Sequence, residues 1–227
     1  MDSILKILNL FYYGEENISH LEHSWAENSK DRNAEYESRF LELAEIDSKY
    51  TRAIKNLIEG LGQPVGEESS SIREVFDYIS GIENWQDRII TTGLILRYSY
   101  AKTFGVMFYR VFYPVSPEFM RSFGKAFRNK SSDLERWDSE EAKRLIKNNL
   151  VDKAHVIELT REIVTRMLLP IEGNRKLAKE LGLEEEVKLL SDISIAYPFQ
   201  ILSELGYDIN IENEVKLVKS RISKSKS

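Results

Sequence analysis

The chain has 227 residues, is 42% hydrophobic and 30% charged, and carries a formal net charge of −5. That length suits one large domain or a domain with an appendage, and the acidic balance disfavours nucleic acid as the main partner, because phosphate binding needs a basic face. The absence of cysteine excludes disulfides, thiolate catalysis, cysteine zinc fingers and iron–sulfur clusters, and fits a reducing, cytoplasmic setting.

Five prolines, eleven glycines and long stretches of 3.6-residue periodicity predict an all-α fold. No secretory signal is read in residues 1–13, since Asp2 opens them and Lys6 interrupts them. A first helix is expected from about Ser3 to Asn28, a tight polar connection at Ser29–Asp31, and a second helix from about Asn33 to Leu61, ended by Gly60, Gly62 and Pro64. Ser70 or Ser71 can cap a third helical region, with Glu74 as the capping-box acid. That region breaks near Gly81 and continues as an apolar helix to about Phe112. Arg97, Lys102 and Arg110 interrupt it, so it reads as a buried helix and not a membrane span. A short basic amphipathic helix is expected at Glu118–Asn129, a turn at Ser131–Asp133, and a long fourth helix from about Ser139 to Leu169, ended by Pro170. Smaller helices follow at 174–190 and 198–206. Residues 1–172 thus read as a helical bundle, and 173–227 as a C-terminal helical extension ending in a loose basic tail (Lys216, Lys219, Arg221, Lys224, Lys226).

Carboxylates interrupt the apolar stripes of the first hairpin. Leu8, Phe11, Glu15, Ile18 form one stripe, and Phe40, Leu43, Asp47, Tyr50, Ile54 another. A buried charge needs a partner: a metal, an arginine or a shared proton. If the hairpin turns at Asp31, Glu15 and Asp47 lie sixteen residues either side of it and face each other. Tyr50 follows Asp47 at i+3, and His155 follows Asp152 at i+3, a spacing that sets two donors side by side. Oxygen donors with an imidazole suit iron or manganese. His155 lies at the margin of its apolar stripe, where pairing with a carboxylate is an equal alternative to metal ligation. Arg97, among apolar residues of the third helix, can neutralise Glu15, Asp47 or Asp152 in place of a metal. His20 and His23 share a stripe with Glu16 and Glu27, pointing about 130° from Glu15. Two imidazoles at i, i+3 with flanking acids have the spacing of a surface or interfacial zinc site; a solvated helix face has the same pattern.

The sequence resembles the ferritin-like superfamily over roughly residues 10–165. Tyr13-Gly14-Glu15, then Asp47-Ser48-Lys49-Tyr50 and Leu57-Ile58-Glu59-Gly60, are similar to the first hairpin of a rubrerythrin. Asn84-Trp85-Gln86-Asp87, Leu96-Arg97 and Asp152-Lys153-Ala154-His155 are similar to the subunits of the bacterial phenylacetyl-CoA ring epoxidase. The resemblance implies a four-helix bundle with additional C-terminal helices and a di-iron carboxylate centre. It places Glu15, Asp47, Asp152 and His155 at metal-ligand positions. Tyr50 stands where a histidine is expected, and Leu96 where an acid is expected. The implied function is a non-catalytic scaffold or partner subunit with a degenerate di-iron site. The alternative is an iron- or manganese-dependent oxidoreductase, such as an oxygenase or a peroxide- or iron-handling protein. A homodimer or a complex with a related helical bundle is expected, because the apolar third helix and the basic helix after Pro117 need covering.

Overall fold

The computed structural model describes residues 2–28, 34–101, 113, 117–118, 121, 134–173 and 175–225. Among these every regular element is helical, and no helix is long and apolar enough to cross a membrane. The chain packs as two compact units. One comprises Met1–Gly81 with Tyr109–Glu135, the other Ile82–Phe108 with Arg136–Ser227.

The first unit is built on an antiparallel hairpin of α1 (Asp2–Glu27) and α2 (Ala34–Gly60). Leu8, Phe11, Ile18, Leu21 and Trp25 of α1 are buried, as are Phe40, Leu43, Ile54 and Ile58 of α2. The two stripes follow the i, i+3, i+4 spacing that puts one face of a helix against its partner. Trp25 meets Phe40 edge-on at 5.8 Å between ring centroids. Ser19 Oγ donates to the Ala44 carbonyl at 2.9 Å and lies 2.7 Å from Ser48 Oγ. Helix α3 (Ser70–Ser80) packs on α1. Its cap is Ser69, whose Oγ accepts from the Ile72 amide, and not Ser70 or Ser71 as expected. The preceding loop is tied to α1 by side chains. Tyr13 donates to the Gly66 carbonyl, Asn9 accepts from the Gly66 amide, and Asn17 donates to Glu68.

In the second unit Asn84 caps α4 (Trp85–Ile90). The chain then continues as an eleven-residue π-helical segment, Thr91–Ala101. Such i→i+5 winding is rare and usually confined to one turn. The sequence Thr-Thr-Gly-Leu-Ile favours α-helix weakly, and three contacts hold the segment. Gly93 lies so close to the Asp138 backbone that a Cβ there would sit 2.1 Å from the carbonyl oxygen. Arg97 reaches the Asp138 side chain, and Ser99 Oγ donates to the Ser194 carbonyl at 2.6 Å. The remainder of the expected apolar helix beyond 101, the basic helix at 118–129 and the turn at 131–133 lie almost wholly outside the described residues.

The expected single fourth helix is two helices, α5 (Leu134–Lys147) and α6 (Lys153–Gly173). Asn149 takes φ 51°, a left-handed conformation that ends a helix and that Asn tolerates. Asp152 then starts the next one, accepting from the His155 amide at 2.8 Å. Pro170 does not end α6, which runs on to Gly173. Helices α7 (Arg175–Glu180), α8 (Glu184–Glu204) and α9 (Ile211–Lys224) complete the unit. Gly182 and Gly206, at φ 66° and 90°, make the turns that follow α7 and α8. The loose basic tail expected from the sequence is α9 over most of its length. Asn210 caps it, and Val218 and Ile222 are buried. Ion pairs fasten it to α6 and, through Lys219 and Asp192, to α8. Arg161 grips the buried Glu214 through Nε and Nη2 at 2.6 and 2.7 Å, and Arg221 bonds Glu158 at 2.7 Å.

Gly93→Ala is expected to destabilise the chain by about 3 kcal/mol, because a helix backbone and not a flexible side chain must move to admit the methyl. An unchanged denaturation midpoint would contradict this contact. The Arg221 bond, ahead of Arg161, holds the Glu158 carboxyl below its ordinary value. A depressed carboxyl stabilises the fold fully above the usual glutamate range and loses that contribution as pH falls through its lowered value. Glu158→Gln should therefore flatten the acid limb of the stability profile. The effect is modest because Glu158 is 51% exposed and water screens the pair.

Candidate functional site

The first-hairpin candidates are Glu15 on α1 and Asp47 and Tyr50 on α2. All three are half-buried, and none is without partners. Their relative height is corrected by the packing. Ser19 meets Ala44 and Ser48, and Trp25 meets Phe40. Carried along both helices, this register sets Glu15 level with Tyr50 and Asp47 level with Ile18. The offset from the expected facing pair is about one turn, roughly 5 Å along the axis. Among the acids of α1 whose burial is described, Glu22 is the most buried, at 3% exposure. It continues the Glu15 stripe seven residues on, a signal the sequence reading passed over.

In the second unit the candidate ligand positions are taken up by the fold. Leu96 is a buried apolar residue, with 5% exposure. Arg97 makes a two-pronged contact with Asp138. Nε lies 3.0 Å from Oδ1 and Nη2 lies 2.7 Å from Oδ2. The Asp138 side chain is fully buried, and its Oδ1 also accepts from the Ser139 amide at 2.8 Å. A guanidinium fork and a backbone donor are what a carboxylate withdrawn from water requires. The compensating arginine was thus legible in the sequence, but this carboxylate was not among its proposed partners. The signal was available: Asp138 lies four and seven residues before the buried Ala142 and Leu145, the same stripe criterion that singled out Asp47. Glu214, four residues before the buried Val218, is a second acid of this kind, and Arg161 meets it.

Asp152 and His155 stand at the N-terminus of α6. Asp152 is exposed and caps the helix. His155 turns its Nε2 onto Asp87 Oδ2 at 2.8 Å, so the pairing with a carboxylate is the arrangement realised. Asp87 sits in the first turn of α4, and Gln86 beside it donates to the Leu150 carbonyl. Two helix N-termini are therefore joined by one histidine–carboxylate hydrogen bond and one hydrogen bond from a side-chain amide. The two acids oppose the partial positive charge at both ends. Tyr207 packs here, with the Lys153 ammonium 5.3 Å from its ring centroid, a cation–π distance. Burial, with the Asp152 charge second, pushes the Tyr207 phenol above its ordinary value. Among the described residues its hydroxyl is buried with no hydrogen-bond partner.

His20 and His23 are both exposed on α1. Among the described residues no group of three or more histidine, aspartate or glutamate side chains is gathered to hold a metal ion. Comparison of the chain with protein-family models, with curated proteins and with solved structures finds no match.

Arg97→Leu is expected to cost about 3–5 kcal/mol, because it strands the buried Asp138 carboxylate. Arg97→Leu with Asp138→Leu should recover much of that loss. A near-neutral single substitution in urea denaturation would remove the ion pair from its structural role.

Proposed function

We propose that the chain is a ferritin-like helical-bundle protein with a degenerate di-metal motif, acting as a scaffold or partner subunit. One observation carries this reading: the second-unit ligand positions are committed to holding helices together. Asp152 caps α6, His155 bonds Asp87, Leu96 is core, and Arg97 serves Asp138. In the first hairpin Tyr50 offers a phenol, which ligates iron only after losing its proton. A di-iron bundle spends four carboxylates and two imidazoles on its metals. Here leucine and tyrosine replace two of the six, and the imidazole of a third position is engaged by Asp87. The partner role draws on α8, where Leu189 and Ile193, one turn apart, are 60% and 44% exposed. A second copy or a related bundle would cover such residues.

Elemental analysis of full-length protein purified without chelators tests the reading. Fewer than two iron or manganese ions per chain are expected. Tyr50→His combined with Leu96→Glu should raise that number if the ancestry is ferritin-like. Two irons per chain in the unmodified protein, with oxo-bridged absorption, would overturn the reading and favour the metal-dependent oxidoreductase. Sedimentation showing only a 26.4 kDa monomer at micromolar concentration would count against the partner role.

A further inference from the structure

We propose that the imidazoles of His20 and His23 form a binding site for a zinc-type divalent transition-metal ion on the exposed face of α1. The two histidines lie three residues apart on one helix, and both are exposed. Among the described residues neither imidazole has a hydrogen-bond or ion-pair partner. They differ in this from His155, whose Nε2 is held by Asp87. Residues at i and i+3 of a helix are surface neighbours, and neutral imidazole nitrogen is a preferred donor for zinc, nickel and copper.

Glu16 lies one turn before His20 on the same ridge. Its Oε1 accepts from the Tyr12 hydroxyl at 2.6 Å. That is the kind of outer contact that orients a ligating carboxylate. The side chains are not gathered into a three-ligand cage. The imidazole pair is therefore the primary chelate, and Glu16 joins by side-chain rotation or through a water. A chelate spanning one helical turn forms only on folded α1, so the ion stabilises the first unit by linkage. None of these residues is a ligand of the ferritin-like motif, so this site and that reading stand or fall separately.

The test is calorimetric titration of the chelator-treated full-length protein with zinc chloride, paired with thermal melts. Saturable binding with an upward shift of the melting temperature is expected. His20→Gln or His23→Gln should each weaken binding by more than about 10-fold and abolish the shift, and Tyr12→Phe should weaken it by about 10-fold. His155→Gln should leave it unchanged. Both target histidines are exposed, so their replacement leaves the fold intact. One zinc per chain supports the site. One zinc per two chains, with dimer in sedimentation, also supports it, the second copy completing the coordination shell. No saturable binding, or binding unchanged in His20→Gln and His23→Gln, would overturn the proposal and leave an adventitious ion only.

Discussion

A carboxylate withdrawn from water needs a cation or hydrogen-bond donors to meet it, and in the second unit this requirement orders the helices. Asp138 is the clearest case. Its side chain is fully buried, its own helix supplies one backbone donor, and Arg97 supplies the charge from the π-helical segment. The pairing acts together with Gly93, whose missing side chain lets that segment lie against the Asp138 backbone. Neither contact works alone: the fork needs the close approach, and the close approach needs glycine. Together they offer a physical reason for a winding that sequence propensity alone would not sustain. Thr92 adds to this by donating to the Arg88 and Ile89 carbonyls at the change of winding.

The same rule repeats at two further places with different partners. Arg161 meets Glu214 and fastens α9 to α6, and His155 meets Asp87 and fastens α6 to α4. These pairs differ in character. Arginine presents a rigid, permanently charged fork that suits a buried acid, whereas histidine makes a single bond at a half-exposed position. An acid–base pair of this kind is weak evidence for stability relative to an apolar core, but breaking it by removing one partner is costly. Its structural value lies in specifying which helix meets which, and at what height.

This bears on how the candidate site should be understood. The resembling motif positions fall in two separately packed units: Glu15, Asp47 and Tyr50 in the first, Leu96, Arg97, Asp152 and His155 in the second. An Asp-x-x-His spacing is equally good grammar for a helix N-cap followed by a histidine that reaches a neighbouring helix, and that is how the second unit uses it. Spacing along one helix specifies which donors lie side by side. It does not specify what they face.

The sequence determined the helical class, the first hairpin to within one residue at each of its four helix ends, and the principle that its interior acids need partners. Those properties are local: apolar periodicity fixes a helix and its buried face, and an isolated charge on that face is costly whatever the surrounding fold. The tertiary structure alone decided the partners. The sequence offered Arg97 several acids, and packing gave it Asp138, forty-one residues away. Periodicity continued through residues 139–169, and Asn149 with the Asp152 cap divided that stretch. The expected height of Glu15 against Asp47 assumed where the hairpin turns, and the Ser19 and Trp25 contacts moved it by one turn. Pairing across helices depends on loop length, crossing and register, each of which shifts a side chain by several ångströms, more than the reach of a hydrogen bond.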